Sequence, residues 1–205
     1  MPRKRQSVVP LNREVAQLEA LPQPVVAYGR DLAAGDVLPR HHHQRAQLLY
    51  ASPGVMNVTT PGATYLVPSG RAVWIPGGTE HEVEARTAVA MRTVYLETDE
   101  HEDLPRRVRV LQVTPLLREL LIEAVAQGSY YEPDSPQSRL MGVIVDQIRT
   151  QPVAALNLPI PEEPRLHRIV QALTAEPSDS RQLAEWAREV GASERGVPLP
   201  LADAC

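Results

Sequence analysis

The chain of 205 residues has no phenylalanine, and its aromatic share is 4%, carried by two tryptophans and six tyrosines. Any core must therefore be built from aliphatic side chains, which the 43% hydrophobic content supplies. A single cysteine, Cys205, stands at the last position. That excludes a disulfide framework within the chain and any cysteine zinc site. No apolar run reaches the roughly 20 residues that span a bilayer, and the opening MPRKRQSVVPLNREVAQLEA lacks the apolar stretch of a secretory signal. The expectation is a soluble, cytoplasmic chain with no membrane partner. Positive charge is not in excess either: 21 Lys and Arg stand against 25 Asp and Glu, a formal net charge of −4. The surface as a whole is thus not built to hold nucleic acid. Arg3, Lys4 and Arg5 are a local exception and read as a solvated basic tail over 1–20, with a phosphate-contacting arm as the alternative. Phosphate-cradling glycine loops of the GK[ST] or GxGxxG type are absent.

Proline, by contrast, is plentiful: 20 residues, about twice the usual share of about 5%. The prolines are scattered between apolar segments of clear periodicity, as in a folded chain. From Pro24 to about Val113 the runs VVAYGR, VLPRHHH, QLLYA, VMNVTT, TYLVP, AVWIP, HEVEA and AVAMRTVYLE are short or alternating. Gly, Pro or Asn interrupts them every eight to twelve residues or so, which predicts an all-β sandwich or barrel over 21–113. After Thr114 the period changes. Leu117, Leu120, Leu121 and Val125 fall at helical spacing, as do Leu140, Ile144, Val145 and Ile148, predicting a helical hairpin over 114–150. Pro115 suits a first helical turn and Gly128 a stop. Pro152, Pro159, Pro161 and Pro164 then make 151–164 an extended linker. Residues 165–205 open a second, helical domain, with Leu166, Ile169, Val170 and Leu173 on one face and Leu183, Trp186, Ala187 and Val190 on another.

Chemistry concentrates in the histidines. On a strand His41 and His43 share a face and His42 takes the other; His81 comes from a distant strand. Three imidazoles on one barrel face are what a divalent metal needs, and the same inward side chains also suit hydrogen bonding to an organic ligand in a dry pocket. Spacing sharpens the pattern. Gly35 is followed after five residues by His41, after one by His43, after three by Gln47 and after six by Gly54. Gly70 is followed after five by Pro76, after one by Gly78 and after two by His81. These two series resemble the two cupin motifs. Two positions depart from them: Gln47 stands where metal-binding cupins usually carry a glutamate, and Ala85 where the second motif usually has an asparagine. A neutral amide offsets no metal charge, so the candidate set His41, His43, Gln47 and His81 is read as an effector pocket or a site for Zn, Ni, Fe or Mn. Tyr50, Tyr65, Trp74, Met91 and Tyr95 are core residues by default and pocket lining in the alternative. His42, His101 and His167 read as surface residues.

Near the C-terminus, Ala187 precedes Gly191 by four residues in QLAEWAREVGASER. A small residue permits close helix approach and a glycine the tight turn of a helix-turn-helix, with Ser193 capping the next helix. Together, HHHQRAQLLYASPG, PSGRAVWIPGGTEHEV, the two helices, the proline linker and LAEWAREVGASER make the chain, from about Val25 to Arg195, resemble a transcriptional regulator of the AraC type. The resemblance implies a cupin jelly-roll sensor for a small effector, a homodimer formed through the helical hairpin, and promoter DNA held by two helix-turn-helix units, with Ser193 and Arg195 in the first. It departs after Arg195. Pro198 and Pro200 stand where the recognition helix would run, and 162–205 carries five arginines against eight acids. The expectation is a DNA-binding module incomplete after Arg195 and impaired in this chain. The alternatives are a metal-dependent cupin enzyme, a dioxygenase or isomerase, and a stand-alone cupin sensor.

Overall fold

In the computed structural model the described residues are 7–8, 12–97, 103–154, 157–159, 165, 168–169, 172 and 181–191. The chain divides into two compact units, 1–157 and 158–205. The division falls inside the proline-rich segment.

The first unit is a double-sheet β barrel with helices. After a two-residue strand β1 (Ser7–Val8) and a helix α1 (Asn12–Glu19) come β2 (Val25–Leu32), β3 (Asp36–His41), β4 (Ala46–Ala51), β5 (Val55–Thr60) and β6 (Ala63–Pro68). β7 (Arg71–Ile75), β8 (His81–Ala85), β9 (Val89–Leu96) and β10 (Arg109–Gln112) follow. Helices α2 (Pro115–Gln127) and α3 (Pro136–Thr150) and the strand β11 (Val153–Ala154) complete it. One sheet runs β1-β3-β8-β5-β6 and the other β11-β10-β7-β4-β9-β2.

Alternation along the second sheet builds two cores. Ala46, Leu48 and Tyr50 of β4, with Trp74 and Leu96, face α2 and α3 and pack on Leu117, Leu121, Met141, Ile144 and Ile148. Leu49 and Ala51, with Val73, Ile75 and Met91, face the other sheet and meet Met56, Val58, Val67 and Val83. A strand that is apolar on both faces is what a sheet covered on both sides requires. Trp74 is fully buried in the helical core, and its indole N–H donates to Pro105 O at 2.7 Å. α2 starts at Pro115, as expected, and both helices begin on a side-chain cap. Thr114 Oγ1 accepts from Leu117 N at 3.2 Å, Ser135 Oγ accepts from Ser138 N at 3.1 Å, and Pro115 and Pro136 follow these caps.

Two local features differ from the sequence reading. Residues 12–19 of the expected tail form α1, because Val15 and Leu18, three apart, share one apolar face of a short helix that closes on the barrel. The strand expected through His43 ends at His41, after a register shift between Leu38 and His41.

In the second unit, α4 (Leu183–Val190) opens with Gln182 N donating to the Glu185 carboxylate at 2.8 Å. It ends at Gly191, which holds the left-handed conformation, φ 68° and ψ 36°, that the predicted turn needs. Ile169, Trp186, Ala187 and Val190 form its buried cluster, and the Arg181 guanidinium lies 3.6 Å from the Trp186 ring centre. Arg3, Lys4, Arg5, His101, His167, Ser193 and Arg195 lie outside the described residues. No helix among the described residues is long and apolar enough to cross a membrane.

A candidate metal and effector centre

The pleat and one loop bring the histidines together. His41, at the end of β3, stands directly across from His81, the first residue of β8. His43 lies beyond the strand, and a clamp fixes it: His43 Nδ1 donates to Arg45 O at 2.5 Å, and Gly78 N donates to His43 O at 2.8 Å. A Cβ at Gly77 would sit 2.0 Å from Gln44 O, so the loop between β7 and β8 can lie on residues 43–45 only with glycine there. We expect Gly77→Ala to force the two loops apart, costing about 2 kcal/mol or more, and to weaken cation binding by separating His81 from His43. Thermal unfolding and calorimetric titration check both.

The imidazole rings are close, with centres 4.3 Å apart for His41 and His81, 5.0 Å for His43 and His81, and 6.1 Å for His41 and His43. One ring nitrogen from each lies within 4.8 Å of the others. Their backbone bonds say which nitrogen. His41 Nδ1 meets Pro39 O at 2.8 Å, His43 Nδ1 meets Arg45 O, and His81 Nδ1 meets Thr79 O at 2.9 Å. A carbonyl only accepts, so each Nδ1 carries the proton and each Nε2 keeps its lone pair. An Nδ1–H held by a backbone carbonyl is the usual way a protein orients a metal-ligating histidine. His81 Nε2 is buried and has no hydrogen-bond partner, a costly arrangement unless something binds there.

Gln47 completes the ring of acceptors. Its Nε2 donates to Thr93 Oγ1 at 2.9 Å and to Tyr95 OH at 3.1 Å. Thr93 gives its own proton to Leu48 O at 2.9 Å, so toward Gln47 it can only accept. That turns Gln47 Oε1 toward His43 Nε2, at 3.0 Å. Burial pushes all three imidazoles toward the neutral form: His41 and His43 are lowered from 6.5, and His81 falls to about 3. Four acceptors therefore converge with no donor between them, the donor set of a cation. Tetrahedral bonds of about 2.1 Å place two nitrogens about 3.4 Å apart, so a separation of 4.8 Å would have to close by roughly 1.4 Å.

A small cavity adjoins this centre, lined by His41, Gln47, His81, Tyr28 and Tyr95 and by the apolar Leu38, Leu49, Val83 and Met91. Val15 and Leu18 of α1 wall it off. Its free space is about 10 Å³, that of one water-sized group. Met91 is the one residue among Tyr65, Trp74 and Met91 that lines it. Trp74 points to the opposite face of its sheet, and half-buried Tyr65 packs against the inner core. Tyr95, read from the sequence like Met91 as core by default and cavity lining in the alternative, lines the cavity too, whereas Thr93 and the α1 residues were not singled out from sequence. The spacing of Val15 and Leu18 was the available signal for α1; Thr93 and Tyr95, two apart on β9, share the face of Gln47.

These features define a ligand-binding β barrel of the cupin type. Residues 23–157 match the AraC-like ligand binding domain, and the chain belongs to that family. It is 29% identical over 159 residues to the HTH-type transcriptional regulator NimR of Escherichia coli K12, a match covering 78% of this chain and 58% of NimR. The chain thus spans somewhat over half the length of that relative. Among solved structures it is similar to apo ToxT of Vibrio cholerae, with 7% identity, a TM-score of 0.48, and 84% of this chain and 72% of that one covered. It is also similar to a cupin-2 domain protein of Shewanella frigidimarina, with 14% identity, a TM-score of 0.34, and 38% and 76% covered.

Proposed function

We propose that this chain carries the effector sensor of a one-component transcriptional regulator, and that His41, His43, Gln47 and His81 hold a divalent cation as part of that sensor. The convergence of three imidazole lone pairs, one of them buried and unpartnered, carries the site reading. Family membership and the similarity to NimR support the regulator reading. On this reading 21–113 senses, 114–150 joins two copies, 151–164 links, and 165–205 is an incomplete DNA-binding module, with Ser193 and Arg195 as its remnant, whose hold on promoter DNA in the cytoplasm is impaired.

The test starts from protein stripped with a chelator and reloaded with zinc or nickel in chloride buffer. One equivalent per chain should survive gel filtration, and the ion at 100 times its dissociation constant should stabilise the fold by about 2.7 kcal/mol. Residual binding to the duplex upstream of its own coding sequence, weak because the DNA-binding module is incomplete, should change with the cation. Absence of retained metal together with unaltered unfolding sinks the site reading; DNA binding indifferent to the ion sinks the sensor reading.

A further inference from the structure

We propose that cation occupancy is relayed through Arg45 and Gln23 to the turn of the helical hairpin, residues 128–135, so that this turn docks more firmly on the barrel when the ion is bound. This rests on the cation reading given above and adds to it the element that the ion controls. The relay is an unbroken series of hydrogen bonds. His43 Nδ1 donates to Arg45 O at 2.5 Å. A cation on the other ring nitrogen polarises the imidazole and strengthens that donor, which fixes the backbone of residues 43–45. From the same residue the buried Arg45 guanidinium donates to Gln23 O at 2.6 Å. Gln23 carries the constraint onward with its side chain, whose Nε2 donates to Tyr131 O at 3.0 Å, across 108 positions of sequence.

A relay needs an element with two arrangements at its far end, and the turn has the marks of one. Two further bonds hold it to β2: Tyr131 OH donates to Val25 O at 2.9 Å, and Ser129 Oγ donates to Ala27 O at 2.7 Å. Against them stands Gln23 Oε1, which is buried with no hydrogen-bond partner, a cost comparable with what the Nε2 bond returns. Asp134 holds φ 58°, in the left-handed region that a residue with a Cβ seldom adopts, and Tyr130 is exposed. Docking of the turn is therefore only modestly favoured, and one added constraint on Gln23 shifts its population. The effect is reciprocal. Whatever factor the ion contributes to docking, the docked turn returns to the affinity for the ion.

The experiment is amide hydrogen exchange on the wild-type chain, metal-free and zinc-loaded, resolved by peptide at short labelling times, with bound zinc quantified in the same samples. Zinc is expected to slow exchange over 128–135 at least about fivefold and to leave 86–88 unchanged, at the end of β8 away from His81. Gln23→Met keeps the length of the side chain and loses its donor. This variant is expected to abolish the slowing and to weaken zinc binding by the same factor. Arg45→Lys breaks the relay one link earlier; it is read in the same way and carries the test where Gln23→Met does not fold. One equivalent of bound zinc with unchanged exchange over 128–135 overturns the relay and leaves the cation site standing. A Gln23→Met turn that exchanges faster yet still slows with zinc as the wild type does also overturns it, since Gln23 then only supports the turn. No bound zinc overturns the cation reading and the relay with it.

Discussion

Replacing His81 by leucine is expected to lower cation affinity at least about 100-fold, since a ligand is worth no less than the partners that orient it. The same change is expected to make the metal-free protein more resistant to acid. Burial holds the His81 pKa at about 3 in the folded chain, against 6.5 unperturbed. The unfolded chain therefore binds a proton below pH 6.5 that the folded chain refuses. The stability from keeping this imidazole neutral is complete above 6.5 and is lost as pH falls toward 3. Between pH 7 and pH 5 this single group removes about 2 kcal/mol from the folded state. Leucine takes no proton and leaves no orphaned nitrogen, so the variant should keep that amount at pH 5. Urea unfolding at both pH values, wild type against variant, measures the difference. Equal acid sensitivity in the two proteins would show that the folded chain protonates His81 freely.

The second large effect falls on Arg45. Its side chain is 4% exposed, and its guanidinium donates to Gln23 O and Leu21 O, each at 2.6 Å, and to Glu97 at 2.8 Å. Those two carbonyls belong to the link between α1 and β2, so a single cation ties the helix that walls the cavity to the mouth of the barrel. Arg45→Ala strands both carbonyls and should cost about 3 kcal/mol, roughly 10 °C in Tm for a chain of this size. Arg45→Lys should recover only part, because one ammonium cannot reproduce a planar fork with several donors. The carbonyl that accepts from His43 Nδ1 is backbone and survives the change. Cation affinity measured in the cold should therefore fall far less than in His81→Leu, while proteolysis within α1 accelerates. An unchanged Tm would mean that water replaces all three contacts.

The strands were legible because turn residues and alternation agree: the signals at Gly35, Gly54, Gly62 and Gly78 all fall between observed strands. Helices α2 and α3 were equally plain from the helical spacing of Leu117, Leu120, Leu121 and Val125 and of Leu140, Ile144, Val145 and Ile148, with Pro115 at the start of α2; the Thr114 and Ser135 caps came only with the structure. The spacing of His41, His43 and His81 already pointed to one site. How they converge was hidden. The alternation argument put His43 on a strand that in fact ends at His41, and His43 is aimed instead by a carbonyl two residues on and by a loop that only Gly77 lets approach. The direction of the Gln47 amide depends on Thr93 and Tyr95, forty-six and forty-eight positions away, and on where the Thr93 hydroxyl spends its own proton. Nothing local encodes such a relay. Helix α1 escaped notice because Val15 and Leu18, the two large apolar residues in eight, are a faint stripe, meaningful only once a cavity is there to cover.

Strand β4 is buried at all six positions, Ala46 through Ala51. Leu48 and Tyr50 serve the helical core while Gln47 and Leu49 serve the cavity. A strand with no outward side has no silent positions, so mutational drift there disturbs either the ligand wall or the helix platform. Retuning such a sensor toward a new compound is therefore work for the one-sided walls, Leu38 and Val83 on the facing sheet and Val15 and Leu18 on α1. There a change of volume can be absorbed without moving the platform behind.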